Sequence, residues 1–197
     1  MEKKITLYGS VDTGKTNVLR CLIYLLSKKG TYALYDTSST KTILNVLQSQ
    51  KDVHVAFLYN GLPIAISTYG DVANDVRLNW GYFYGGKVTH KYGDVQVPDI
   101  PELCTSPCRN SGGSLSEEHQ QSIKYQRNDI KYAAWMRIEE LRKIKNLPKV
   151  SANEITEFSS AGVFWPNRKN TLGNVQMESD IAVAKFIKTQ IDELIKL

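Results

Sequence analysis

Lys4-Ile5-Thr6-Leu7-Tyr8-Gly9-Ser10-Val11-Asp12-Thr13-Gly14-Lys15-Thr16-Asn17 is the stretch that decides how this chain is read. Lys4 to Tyr8 suits a short strand, and the apolar spacing after Asn17 predicts a helix running to Lys28, with Val18, Leu19, Leu22, Ile23, Leu25 and Leu26 on its buried side. Gly9 and Gly14 frame the segment between. Glycine admits positive φ and close backbone approach, so such a loop can aim successive N–H groups at one point. The loop ends at a helix N-terminus, whose unpaired N–H groups and partial positive charge favour an anion. Lys28-Lys29-Gly30 supplies the cations and glycine that suit the other end of that helix.

Gly9 to Thr16 fits G-x-x-x-x-G-K-[ST], in which the lysine reaches phosphate oxygens as a point charge and the hydroxyl ligates Mg²⁺. On this motif the chain resembles the P-loop NTPase superfamily, a resemblance that specifies about the first quarter of the sequence. It implies a three-layer α/β fold with a mostly parallel sheet and an antiparallel hairpin. It also implies a nucleoside triphosphate on Gly9, Ser10, Val11, Asp12, Thr13, Gly14, Lys15, Thr16 and Asn17, with Lys15 catalytic and Mg²⁺ on Thr16.

Such a site needs a carboxylate at the end of a neighbouring apolar strand. Val53 to Tyr59, then Asn60-Gly61, then Leu62 to Thr68 read as a β-hairpin, because Asn-Gly suits the positive φ values of a type I′ turn. Asp71 follows its second strand and is the expected Mg²⁺ or water-positioning acid, although Tyr69-Gly70 intervenes; an N-cap for a helix from Val72 to Trp80 is the alternative. Asp36, after the strand-like Thr31 to Tyr35, is the second candidate, followed by the hydroxyl-rich Thr37 to Thr40 and a helix from Lys41 to Ser49. This order is similar to that of the small GTPases. The chain departs from their pattern: Gly70-Asp71 stands in reversed order and no Asn-Lys-x-Asp occurs, so ATP is expected before GTP. Ile64 to Asp71 together with Cys108-Arg109-Asn110-Ser111-Gly112-Gly113 resembles instead a group of small bacterial P-loop proteins.

Residues 81–101, rich in Gly, Tyr and Pro, read as an irregular insertion. Leu103 to Pro107 predicts a core strand that places Arg109 at its C-terminal end, where a guanidinium could clamp phosphate or stabilise transferred charge. Ser116 opens a helical pattern through Ile123, Ile130, Ala134, Ile138, Leu141 and Ile144 to Pro148, and a final helix is expected from Glu178 to Lys196. The basic and aromatic residues interleaved along 124–145 are diluted by Asp129, Glu139 and Glu140, and they do not support a nucleic-acid face.

With 197 residues, 42% of them hydrophobic, the sequence suits a single domain, 1–197, with a real core. The net charge of +5 fits phosphate-bearing partners without requiring them. Cys21, Cys104 and Cys108 make neither a disulfide framework nor a metal-ligand spacing, and no apolar run is long enough for a bilayer. A cytoplasmic protein without signal peptide or membrane association is expected. The reaction expected is hydrolysis of a Mg²⁺-nucleoside triphosphate by Lys15, Asp71 and Arg109. The alternatives are a kinase, with Asp36 as base and 81–101 as lid, and an interaction protein that binds a protein partner in a nucleotide-dependent way.

Overall fold

The computed structural model describes residues 3–28, 31–34, 43–49, 51–84, 90–92, 95–97, 101–126, 132–165 and 173–196. Strand β1 (Lys3–Gly9) leads through the glycine loop into helix α1 (Lys15–Ser27). There follow β2 (Thr31–Leu34), α2 (Ile43–Gln48), β3 (His54–Tyr59), β4 (Leu62–Ser67) and α3 (Ala73–Tyr84). A short hairpin, β5 (His90–Tyr92) and β6 (Val95–Val97), precedes β7 (Leu103–Arg109) and α4 (Ser114–Gln126). Then come β8 (Tyr132–Arg137), α5 (Ile138–Leu141), α6 (Ala152–Ser160) and α7 (Gly173–Leu194).

Six strands form a mixed sheet in the order β2-β3-β4-β7-β1-β8. β4, β7, β1 and β8 run parallel, whereas β3 is antiparallel to both β4 and β2. The β3–β4 hairpin turns on Asn60 and Gly61, at φ 50° and 80°, the left-handed pair that the Asn-Gly sequence favours. β1 shows how the sheet is covered. Its odd-numbered Ile5 and Leu7 join the main core with α1, α2, α6 and α7. Its even-numbered residues face α3 and α4, where Lys4 and Thr6 meet Glu118 and Tyr8 packs beside Val76, Trp80 and Cys108. Helices thus lie on both faces of the sheet.

Three expectations change. The continuous helix from Ser116 to Ile144 is not formed: α4 ends at Gln126, and Tyr132–Arg137 instead pairs parallel to β1 as the strand β8. Ile138 and Leu141 match a helical period but belong to the separate helix α5, and the pairing with β1 overrides the helical signal of the intervening residues. The irregular 81–101 segment gives its first residues, Gly81 to Tyr84, to α3 and contains the β5–β6 hairpin. The last helix begins earlier than Glu178, at Gly173, while its stripe of Ile181, Ala184, Ile187, Ile191 and Leu194 is buried as expected. Among the described residues no helix is long and apolar enough to cross a membrane.

Candidate functional site

Parallel strands bring their C-terminal ends to one sheet edge, and here that edge collects the chemistry. β1 delivers the glycine loop, β7 ends on Arg109, and the residues after β4 carry Asp71. Because β3 runs the other way, Asp52, two residues before its start, arrives at the same edge. Asp12, Gly14, Lys15, Thr16, Asn17, Asp52, Asp71, Arg109 and Trp165 line one cleft of about 240 Å³. Of the remaining loop residues expected to bind, Gly9, Ser10, Val11 and Thr13 are not in its lining. Asp36 and Thr37 to Thr40 lie outside the described residues.

The loop is built differently from its expected geometry. Its left-handed residues are Asp12, at φ 58°, and Gly14, at φ 91°. Aspartate tolerates that region better than most side chains, and Gly14 occupies it as the N-cap of α1. Gly9 has no positive φ. It is required for space instead, since a Cβ there would overlap the Ile138 side chain and the Glu139 carboxylate. Glu139 Oε1 accepts the Ser10 N–H at 3.0 Å. Burial would raise this carboxyl, but that bond and the nearby Arg137 hold its pKa at about 2. On the loop's far side, Arg142 donates to the Thr13 carbonyl at 2.8 Å and to Ser179 and the buried Asp180 of α7, each at 2.5 Å. The loop is therefore held from β8–α5, the segment where a continuous helix was expected.

Lys15 is 6% exposed, and its ammonium donates to Gly9 O at 3.2 Å and Ser10 O at 2.6 Å. Burial lowers its pKa, the Arg109 charge lowers it further, and Asp71 opposes both. Two cations thus border one cleft. Arg109 is ion-paired with Asp71, and Ser114 sets both in place by accepting the Arg109 backbone N–H at 3.0 Å and donating to Gly70 O at 2.7 Å. A Cβ on Gly70 would strike the Pro107 backbone, so only glycine lets the chain pass over β7 and deliver Asp71. The Tyr69-Gly70 interruption is that crossing. At the start of α3, Asp75 in the first turn reaches back to accept the N–H groups of Asp71 and Val72 at 3.1 and 3.3 Å, while the Asp71 carboxylate, for which an N-cap role was the alternative, pairs with Arg109.

The sequence reading missed three residues. Asp52 accepts the Thr68 hydroxyl at 2.8 Å, and its pKa is raised by burial, against that bond, with the Asp71 and Asp75 charges adding to the rise. Arg20, fully buried in α1, donates to Val163 O at 2.6 Å, Lys51 O and Gly162 O at 3.1 Å, and Leu47 O. It fixes the segments that carry Asp52 and Trp165. Trp165 forms a wall of the cleft. A buried arginine on an otherwise apolar helix stripe was the available signal for this hub; Asp52 and Trp165 had none.

Oxygen donors are what a hard divalent cation takes, and Thr16, Asp52 and Asp71 provide them in the cleft. Among the described residues no group of three or more His, Cys, Asp or Glu could hold a metal, so a cation here would need ligand oxygens as well. The donor set suits Mg²⁺ brought with phosphates, as Mg²⁺ usually binds through one or two carboxylates plus substrate oxygens. No family model, curated protein or solved structure matches the chain.

Proposed function

We propose that this chain is a P-loop NTPase of three-layer α/β architecture, which binds a Mg²⁺-nucleoside triphosphate, ATP before GTP, and hydrolyses it. One observation carries the reading: Lys15 and Thr16 at the head of α1 share a cleft with Asp52, Asp71 and Arg109, brought there by three other strands. Burial and the neighbouring Arg109 charge disfavour Lys15 as a cation in this setting, and a polyanion between the two side chains relieves that repulsion. Lys15 then exchanges the carbonyls of Gly9 and Ser10 for phosphate oxygens, and Arg109 exchanges Asp71 for the anion.

The freed Asp71 and the Thr16 hydroxyl would hold Mg²⁺, which when bound neutralises charge on the phosphate oxygens. Asp52 is the acid best suited to orient the attacking water, because burial and the neighbouring carboxylates raise its proton affinity. The water oxygen attacks the terminal phosphorus, the bond to the bridging oxygen breaks, and the water's proton passes to Asp52. The products are nucleoside diphosphate and phosphate. The kinase alternative rests on Asp36 as base, a residue outside the described residues. No observation favours the interaction-protein alternative over turnover.

Calorimetric titration and a phosphate-release assay on the wild type, Lys15→Ala and Asp52→Asn test this reading. Lys15→Ala is expected to weaken triphosphate binding and cut turnover about 10² to 10³-fold, the usual cost of removing one preorganised charge donor. Asp52→Asn should retain binding and lose turnover. Unchanged affinity and rate in Lys15→Ala would sink the proposal.

A further inference from the structure

The residues so far assigned account for phosphates, but the cleft has one wall with no role in phosphate chemistry. That wall is Trp165. Its backbone N–H donates to Asn17 Oδ1 at 2.9 Å, which ties it to the first turn of α1, the turn that also carries Lys15 and Thr16. The preceding residues are equally fixed, because Arg20 holds the carbonyls of Gly162 and Val163. The same guanidinium lies 5.6 Å from the indole centroid, a cation–π contact that orients the ring. A partly exposed tryptophan fastened in this way beside an anion cradle is a rigid flat apolar surface at short range from the phosphate site.

Asn17 adds an independent sign. The bond from Trp165 fixes its amide orientation, so the atom left over is the donor Nδ2. Asn17 is 1% exposed, it lines the cleft, and among the described residues Nδ2 has no hydrogen-bond partner. A buried donor without an acceptor is costly, and ligand sites are where such donors are tolerated. An oxygen of a bound ligand beside the cradle would satisfy it.

We infer that Trp165 is a stacking platform for the aromatic base of the bound ligand, with Asn17 donating to an oxygen between base and phosphates, so that the ligand is a nucleotide and not a bare polyphosphate or a phosphorylated aliphatic molecule. The inference rests on the proposed phosphate site and adds the nucleoside end to it. Stacking is tolerant of base identity, so Trp165 recognises a nucleobase without selecting adenine over guanine.

The experiment compares ATP, GTP and inorganic tripolyphosphate, each with Mg²⁺, on the wild type, Trp165→Ala, Trp165→Phe and Lys15→Ala, with circular dichroism checking each fold. Wild type should bind both nucleotides more tightly than tripolyphosphate. Trp165→Ala should weaken nucleotide binding about 5- to 150-fold, the usual range for one stacked base, and leave tripolyphosphate unchanged. Trp165→Phe should recover part of the loss. Equal loss for nucleotide and tripolyphosphate in Trp165→Ala, or no loss for either, would overturn the platform while leaving the phosphate site standing. Wild type that binds none of the three, or Lys15→Ala that binds all three as well as wild type, would overturn the phosphate reading and the platform with it.

Discussion

His54 shows how one residue at the start of β3 sets a condition on the whole chain. It is 5% exposed, it stacks on Tyr69 with ring centroids 4.5 Å apart, and burial lowers its pKa from 6.5 to about 4. The unfolded chain takes up a proton near 6.5, whereas the folded chain resists it until about 4, so the unfolded state binds more protons in between. Stability therefore falls as pH drops through that window, and this group costs nothing above it. The full loss is about 3 kcal/mol. Denaturant titrations of wild type and His54→Phe between about pH 7 and about pH 4.5 check this. The wild type should show the steeper decline, and parallel curves would exclude His54 as the cause. This histidine sits one residue from Val53 and two from Asp52, so acid loosening should begin at the strand end that carries a cleft carboxylate.

At the scale of elements, a buried charge pair joins β1 to α4 and α3. Glu118 accepts Thr6 Oγ1 and Trp80 Nε1, each at 2.8 Å, and pairs with Lys4 at 3.2 Å, both charged side chains being at most 5% exposed. Removing one partner of such a pair costs about 3 to 5 kcal/mol, because the other charge stays buried without compensation. Glu118→Ala should lose about that much in denaturant unfolding. Adding Lys4→Met should then cost little, since the orphaned ammonium is gone, and fully additive losses would refute the coupling. The alternation of Lys4, Thr6 and Tyr8 with Ile5 and Leu7 was visible in the sequence, but not the glutamate that Lys4 meets. The signals that could be read were those completed within a few residues: the β3–β4 hairpin turn, the strand and helix around the glycine loop, and the stripe of α7. β8 escaped because it is a half-exposed edge strand, Tyr132–Arg137, with no clear apolar–polar alternation, so the helical spacing of Ala134, Ile138 and Leu141 absorbed it.

At the scale of the molecule, the cleft exists only because strands distant in sequence share an edge. Asp71 and Arg109 were legible as candidates because each stands at or just beyond the C-terminal end of a parallel strand, which points to the ligand side. Asp52 was not, since it precedes its strand, and only the antiparallel placement of β3 turns a strand start toward that edge. Trp165 comes later still, carried there by the backbone hold of Arg20 and Asn17. A ligand in this cleft therefore touches α1, the β3 start, the β4 end, the β7 end and the 162–165 segment at once, and binding should stabilise the fold as a unit. A ligand at about 100 times its Kd adds about 2.7 kcal/mol to the folded state. For a domain of 150 to 250 residues that raises Tm by about 5 to 11 °C. Thermal unfolding with ATP or GTP, with and without Mg²⁺, should show such a rise as a single transition. Lys15→Ala should remove it, while Glu118→Ala, placed on the opposite face of the sheet, should lower the starting Tm and leave the rise intact. A rise that survives Lys15→Ala would mean that the nucleotide binds elsewhere, and a rise lost in Glu118→Ala would mean that the helix pair α3–α4 is part of what the ligand assembles.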